Sequence, residues 1–533
     1  MPTVHEVIWS MLRDLGVTKV FGNPGSTEMP FLADFPSDID YVLGLHESSV
    51  VGMADAYAQA TGRPALVNVH TAAGLGNAMG ALVNAAGAHS PLVVTAGQQV
   101  RAMLTLEPFL ANADATMLPK PAVKWAYEPP RAQDVPAALA RAFHYAALPP
   151  AGPVFVSLPM DDWDKPAEPG AAHQLAGRRI AGRPVPDPAA LRDLAARVAA
   201  ARNPVLVAGA GLDASPGGFD AAVALAERQS LPVWLAPNAS RVGFPTDHPL
   251  FRGSLPSAIA WLSSALAGHD LVLVAGAPVF QYYPYAPGPY VPDGATLMMI
   301  TDDPDAAARA PIGGALLGDP GLALALLGEL VPLTRRPVPG RRAPVEVPTA
   351  PDMMTAGQVH EALAEVFPDD GVLVSETMNG GSVMWDRVKF RRPGSFYFCG
   401  AGGLGFCLPA AVGAQLASPE RPVVAVSGDG GAQYGIHALY TAAERRIPVT
   451  FLIMANGEYG ILKGFGSYLG AEGVPGLDVG RLDYEALARG YGVPAVRVRS
   501  VGDLTIALKE AVAAVDGPRM VIADIQPGVR LGA

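Results

Sequence analysis

The stretch that most constrains this chain runs from Pro422 to Tyr459, PVVAVSGDGGAQYGIHALYTAAERRIPVTFLIMANGEY. A β-branched run from Val423 to Val426 ends on Ser-Gly-Asp-Gly-Gly, and a second apolar run, Val449 to Met454, ends on Ala-Asn-Gly-Glu-Tyr. Both read as buried parallel strands. Between them Ile436, Leu439, Tyr440 and Ala443 recur at helical spacing, with Arg445 and Arg446 where a helix C-terminus favours cations. A right-handed strand–helix–strand crossover sets the carboxyl ends of its strands side by side, so Asp429 and Asn456 face one crevice. A carboxylate, an amide oxygen and a backbone carbonyl such as that of Glu458 form an oxygen donor set suited to Mg2+, which completes its shell with phosphate oxygens and water. Gly428, Gly430 and Gly431 let the backbone come close to such a phosphate. A Gly-Asp-Gly by itself reads equally as a tight turn; Asn456 at the next strand exit favours the metal reading.

The rest of the chain sets bounds on that reading. Its 533 residues imply about three domains. Half the residues are hydrophobic and 16% are charged, enough for large buried cores, and a net charge of −11 argues against nucleic acid or an anionic membrane as partner. The N-terminal MPTVHEVIWSMLRDLG has an amphipathic helix pattern without a basic region and long apolar core, so no secretory signal is expected. Apolar runs are short and broken by Gly or Pro, so no membrane span is expected either. Cys399 and Cys407 are expected to stay reduced in the cytoplasm rather than form a disulfide. Composition shifts at 160–188 and 334–351 mark two linkers, which gives domains at 1–165, 186–333 and 352–533. Each alternates short apolar runs with helical patterns, so the expected fold is α/β with three doubly wound parallel sheets.

In the first block, Tyr41 to Leu45 reads as a strand delivering His46 and Glu47 to its carboxyl end, with a helix from Ser49 to Gln59. Glu47 is either a functional carboxylate or an acid complementing a helix N-terminus. Ala65 to Val69 reads as another strand, ending in His70 and followed by a glycine-rich turn into a helix. Ser26, Glu47 and His70 thus lie where strands end, the ligand-binding face of open α/β sheets. In the middle block, PVLVAGAGLDASPGG reads as a strand and a glycine loop. It lacks the third glycine of a dinucleotide fingerprint and is expected to keep a nucleotide-binding shape without the ligand.

The segments VFGNPGSTEMPFL, LGLHESSVVGMADAYAQATGRPA, VNVHTAAGLGNAMGAL, SFYFCGAGGLGFCLPAAVG and the Gly-Asp-Gly…Asn pair together resemble the thiamine-diphosphate-dependent 2-oxo acid decarboxylases that act on benzoylformate-like substrates. The similarity covers nearly the whole chain. It implies pyrimidine-binding, middle and diphosphate-binding domains, thiamine diphosphate with Mg2+, and active sites built between the first domain of one subunit and the third of another. A homodimer is then the minimum and a homotetramer the expectation. Residue by residue, Glu47 matches the glutamate on the aminopyrimidine ring, whose carboxylate favours the tautomer that takes the thiazolium proton. Leu404 matches the apolar prop of the bent cofactor and Gly402 a backbone contact to the pyrimidine. Asp429 and Asn456 match the metal ligands, with Glu458 adding its carbonyl, and Gly428, Gly430, Gly431 and Tyr459 fall in the diphosphate-binding motif. Ser26 matches a hydroxyl that meets the substrate carboxylate, and His70 an acid–base histidine.

Departures fall in the substrate pocket. Tyr283 stands where these enzymes have a second histidine, Ile461 where they have alanine, and Met378 and Asn379 where they have small hydroxyl residues, while Leu462 and Phe465 are retained in kind. The implied activity is non-oxidative decarboxylation of an aryl or bulky 2-oxo acid to an aldehyde, with carboligation to 2-hydroxy ketones. The alternative is a carboligase or 2-hydroxyacyl-CoA lyase using the same cofactor. Tyr283 favours that alternative. Ser26, His70 and a C-terminal IADIQPGVRLGA without a basic tail disfavour it.

Overall fold

A computed structural model of the protein describes residues 1–337, 340, 342–471 and 473–528. Residues 529–533, part of the C-terminal segment just discussed, and 338, 339 and 341 of the second linker lie outside them. Among the described residues, eighteen strands form three six-stranded sheets, all paired parallel. The first sheet comprises β1 (Lys19–Asn23), β2 (Asp40–Leu43), β3 (Ala65–Val69), β4 (Leu92–Gln98), β5 (Trp125–Tyr127) and β6 (Val154–Pro159), in the order β2-β1-β3-β4-β6-β5. The middle sheet comprises β7 (Pro204–Ala208), β8 (Val233–Leu235), β9 (Phe251–Ser254), β10 (Leu271–Ala275), β11 (Thr296–Thr301) and β12 (Gly314–Leu317), ordered β12-β11-β10-β7-β8-β9. The third comprises β13 (Val372–Ser375), β14 (Phe396–Phe398), β15 (Val423–Gly428), β16 (Val449–Ala455), β17 (Ala495–Val498) and β18 (Arg519–Asp524), ordered β14-β13-β15-β16-β18-β17.

The first and third sheets therefore share one topology, and the middle sheet has the strand order of dinucleotide-binding domains. In a doubly wound sheet the crevice opens where the winding reverses. That places it between β1 and β3 in the first sheet and between β13 and β15 in the third. The central strands are buried on both faces, as their unbroken apolar runs require. Each buried Val, Ile or Leu among them contributes about 1.5–3 kcal/mol.

The expected helices are present with shifted boundaries. The N-terminal one spans Val4–Asp14 and starts with a capping box between Thr3 and Glu6. The helix after β2 begins at Glu47 rather than Ser49, and that after β3 begins at Thr71, directly after His70 and without the expected turn. The helical pattern after β15 divides into Asp429–Gly435 and Ala438–Glu444. The first linker stretch is not all spacer: Trp163 is buried against Phe31, and the backbone of residues 163–167 pairs with the start of the N-terminal helix. Arg336 in the second straps down the carbonyls of Val198, Ala201 and Gln229.

The first and third sheets meet inside one chain through the helices Glu47–Thr61 and Cys407–Ala417, which cross with almost no side chain between them. A Cβ on Gly413 would lie 1.9 Å from the Met53 carbonyl oxygen, and one on Gly52 2.8 Å from the Pro409 ring. Around this crossing Arg445 pairs with Asp40, and Thr441 Oγ1 donates to the Leu43 carbonyl at 2.7 Å.

Candidate active site

The first half of the site gathers at the β1/β3 crevice. Glu47 opens its helix, yet its carboxylate does not cap it: His46 Nδ1 accepts the Ser48 amide instead, at 3.2 Å. Glu47 is buried, and its oxygens accept from Asn23 Nδ2 at the end of β1 (3.1 Å) and Asn77 Nδ2 on the next helix (3.0 Å). Gly74 leaves the room this needs, since a Cβ there would sit 3.0 Å from Glu47 Oε1. Two neutral amides thus fix the direction of the carboxylate without neutralising it.

His70 Nδ1 lies 2.8 Å from Oε2 of Glu28, a side chain with 1% exposure. Glu28 also accepts from Gly25 N (2.9 Å), Thr27 Oγ1 (2.8 Å) and Gly97 N (2.7 Å). This network assigns the Nδ1 proton to the Glu28 bond, so the lone pair of the neutral ring lies on Nε2. Gly25 lies flat on the imidazole, where a Cβ would come within 2.1 Å of Nδ1. Thr71, the next residue, has φ +39°, a conformation a β-branched residue rarely adopts. Ser26 is exposed on the turn between β1 and the helix that follows.

The second half gathers where β15 and β16 end. Asp429 is buried and accepts from Gly430 N at 2.9 Å and Gly457 N at 2.7 Å, while Asn456 Oδ1 accepts from Glu458 N at 3.2 Å. Burial pushes the Asp429 carboxyl up, opposed by these amides, and a cation beside it would reverse the balance. The Glu458 carboxylate is turned away and tied to Lys463 Nζ (2.5 Å) and Gly528 N (2.6 Å), so only its carbonyl is available to a metal. Among the described residues no cluster of three or more His, Cys, Asp or Glu could hold a metal alone. The donor set is oxygen-only and incomplete without a phosphate, which fits Mg2+. Gly428 faces open space at the strand exit, whereas a Cβ on Gly430 would strike the Tyr459 ring at 2.5 Å.

Leu404 is half-exposed on a loop that runs through Gly402 (φ +76°) and Gly405 (φ +96°). Asn84 of the first half grips this loop at Gly403, donating at 2.9 Å and accepting at 3.0 Å. Ile461, Leu462 and Phe465 lie on the helix Gly460–Leu469, and the Tyr283 ring meets that of Phe465 at 4.8 Å. Met378 is half-exposed on the loop after β13. All side-chain hydrogen bonds of Glu47 and His70 run to first-half residues, and those of Asp429 and Asn456 to third-sheet residues. The Glu47–His70 group and the Asp429–Asn456 group are thus each oriented within their own domain, and Asn84 links the first to the Leu404 loop.

Family models match in three pieces described as thiamine pyrophosphate enzyme domains: N-terminal TPP binding over 2–116, central over 191–327 and C-terminal TPP binding over 379–523. The chain is 52% identical to benzoylformate decarboxylase of Pseudomonas aeruginosa over 96% of its own length and 97% of that protein. The chain belongs to the thiamine pyrophosphate enzymes, in the benzoylformate decarboxylase family. Among solved structures, a thiamine diphosphate-dependent 4-hydroxybenzoylformate decarboxylase of Rhodococcus jostii RHA1 superposes with a TM-score of 0.96 at 47% identity, covering 98% of this chain and 99% of that one. Benzoylformate decarboxylase from Polynucleobacter necessarius gives 0.94 at 42% identity, covering 99% of each.

For a thiamine pyrophosphate enzyme of this family, the sequence reading left out Asn23, Asn77 and Glu28. Each acts on a partner distant in sequence, and no local pattern marks it; only the Asn of Phe-Gly-Asn-Pro-Gly, at a strand exit, offered a signal. In the middle domain the glycine loop is accounted for by packing. A Cβ on Gly209 would lie 2.2 Å from the Gly276 carbonyl oxygen, and one on Gly243 2.4 Å from that of Gly209.

Proposed function

We propose that this enzyme decarboxylates an aryl 2-oxo acid of the benzoylformate type without oxidation, releasing carbon dioxide and the aldehyde. The observation that carries the reading is the His70–Glu28 pair beside Ser26. A decarboxylase that releases aldehyde must return a proton to the carbon that lost its carboxylate, and a histidine oriented by a buried carboxylate is equipped to do so. The names of the relatives at 52% and 47% identity support the substrate class. When bound, thiamine pyrophosphate supplies the carbon nucleophile and the electron sink.

The protein's own groups do the rest. Asp429, Asn456 and the Glu458 carbonyl would hold Mg2+ and through it the diphosphate, with Gly428, Gly430, Gly431 and Tyr459 around it. Glu47 would hold a proton at the aminopyrimidine, and Leu404 and Gly402 would support the ring. Ser26 would orient the substrate carboxylate, and Tyr283, Met378, Ile461, Leu462 and Phe465 would wall the aryl group.

Because the resembled enzymes build each active site between the first domain of one subunit and the third of another, we take the working unit to be at least a homodimer, and a homotetramer by the same resemblance, with domains at 1–165, 186–333 and 352–533. Two buried free thiols, Cys399 and Cys407, suit a reducing cytoplasm. Among the described residues no helix is long and apolar enough to cross a membrane. Carboligation to 2-hydroxy ketones is a second reading, favoured by Tyr283. It lies against Phe465 and offers a hydrogen bond where a titratable group would return the proton quickly. The test is a panel of 2-oxo acids with carbon dioxide release and products measured in the same tubes. Activity confined to aliphatic 2-oxo acids, or ketone without aldehyde from every aryl acid, overturns the reading.

A further inference from the structure

The buried carboxylate of Glu376 has no part in the chemistry above, yet it stands directly after β13, at the crevice where the third sheet's winding reverses. Its Oε1 accepts the amide of Gly405 at 2.7 Å and its Oε2 that of Cys407 at 2.7 Å, and the Phe406 amide also points to it. These amides belong to the start of the helix Cys407–Ala417, whose N-cap residue is Phe406, a side chain with no acceptor. Pro409 has no amide to satisfy. Glu376 is thus an external cap for a helix that cannot cap itself.

The amides it holds continue directly from Leu404. A Cβ on Gly431 would lie 3.1 Å from Glu376 Oε1 and 3.7 Å from Leu404 Cδ2, so carboxylate, prop and diphosphate glycine meet at one point. We propose that Glu376 is a positioning residue for the cofactor, acting through Leu404: by holding the amides of residues 405–407 it fixes the orientation in which Leu404 meets the bound cofactor. The proposal rests on the assignment of Leu404 as the prop.

The carboxylate must be ionised to accept on both oxygens, because a protonated oxygen turns a donor toward an amide N–H. Burial pushes Glu376 up to about 7 against the pull of these amides. The titratable groups facing it are the thiols of Cys399 and Cys407, which burial holds neutral. Below about pH 7 the grip therefore loosens, and cofactor affinity falls.

The test is thiamine pyrophosphate binding to the full-length protein in saturating Mg2+, followed by intrinsic fluorescence. Glu376→Gln is expected to lower affinity about 10-fold, the weight of a charge-assisted hydrogen bond, and to flatten its rise with pH. Leu404→Ala is expected to remove the same pH dependence, and Glu376→Gln added to Leu404→Ala to cost less than about 2-fold more. Wild-type affinity in Glu376→Gln, or additive losses in the double variant, overturns the proposal. If Glu376→Gln does not fold, the wild-type and Leu404→Ala profiles decide: a flat wild-type profile, or an equal slope in Leu404→Ala, overturns it. A wild-type protein that binds no thiamine pyrophosphate at all would instead defeat the functional assignment.

Discussion

Replacing Glu28 by Gln tests whether His70 owes its role to the residue behind it. The Glu28 carboxylate serves five donors: Thr27 Oγ1, Gly97 N and, at 3.4 Å, Thr71 N on Oε1, and Gly25 N and His70 Nδ1 on Oε2. A carboxylate only accepts, so all five are satisfied, whereas a glutamine must turn its NH2 toward one set. Facing Thr27, Gly97 and Thr71, it meets a hydroxyl that can rotate to accept and two amides that cannot. Facing Gly25 and His70, it meets another fixed amide, and His70 can accept only by moving its proton to Nε2, where the lone pair of the neutral ring otherwise lies. Either way at least one buried N–H is left opposed, at about 1–3 kcal/mol of stability each, and the charge-assisted bond to His70, worth about 1.5–3 kcal/mol, is lost. Turnover on benzoylformate should then fall about 10- to 150-fold with KM little changed, since Glu28 lies behind His70 rather than against substrate. Steady-state kinetics with thermal unfolding and cofactor titration would separate these effects. A variant that binds cofactor normally and turns over within about 2-fold of wild type would refute the reasoning.

Asp429→Ala, or chelation of wild type, should release thiamine pyrophosphate, because the metal site is incomplete without the diphosphate; equilibrium dialysis showing retained cofactor would contradict this. Ile461→Ala should raise kcat/KM for substrates with larger groups near the carbonyl by about 10-fold, read on the 2-oxo acid panel, and an unchanged preference would mean Ile461 does not face the substrate. Tyr283→Phe should cost far less than His70→Ala, whose loss is on the order of 10² or more, and Tyr283→His should shift product from ketone toward aldehyde when aldehyde is added. Asp55, bonded to Ser90 and Gln59, is pushed by burial from 3.8 up to about 6, so the folded state holds its proton more tightly. Stability should fall as pH rises through that window, by about 3 kcal/mol, and Asp55→Asn should flatten the curve; equal pH slopes in chemical denaturation would refute it.

The elements legible in the sequence were those whose signals are local. The runs before Asp429 and after Val449 are unbroken because both faces of β15 and β16 are covered, and that same burial brings Asp429 and Asn456 to the strand exits as the pattern implied. Boundaries moved where a local rule met a tertiary one. His46, not a serine or aspartate, caps the helix of Glu47, and Thr71 starts its helix at positive φ, so neither start carries the usual signature. Trp163 fell in a stretch of linker composition because a single buried aromatic has no periodicity to reveal it.

The residues that were not legible share one physical feature. Glu28, Asn23, Asn77 and Glu376 orient other groups, and a carboxylate or amide serving fixed donors can come from anywhere the fold brings a strand end. The first and third sheets have the same topology, and each places such an orienting carboxylate at its own crevice: Glu28 under His70 in one, Glu376 under the Leu404 loop in the other. The helices between them are in backbone contact, with Gly413 against the Met53 carbonyl. This crossing holds the Glu47–His70 group and the Asp429–Asn456 group relative to one another. Gly413→Ala, which must force the helices apart, should therefore weaken thiamine pyrophosphate binding in equilibrium dialysis, and unchanged binding would refute this.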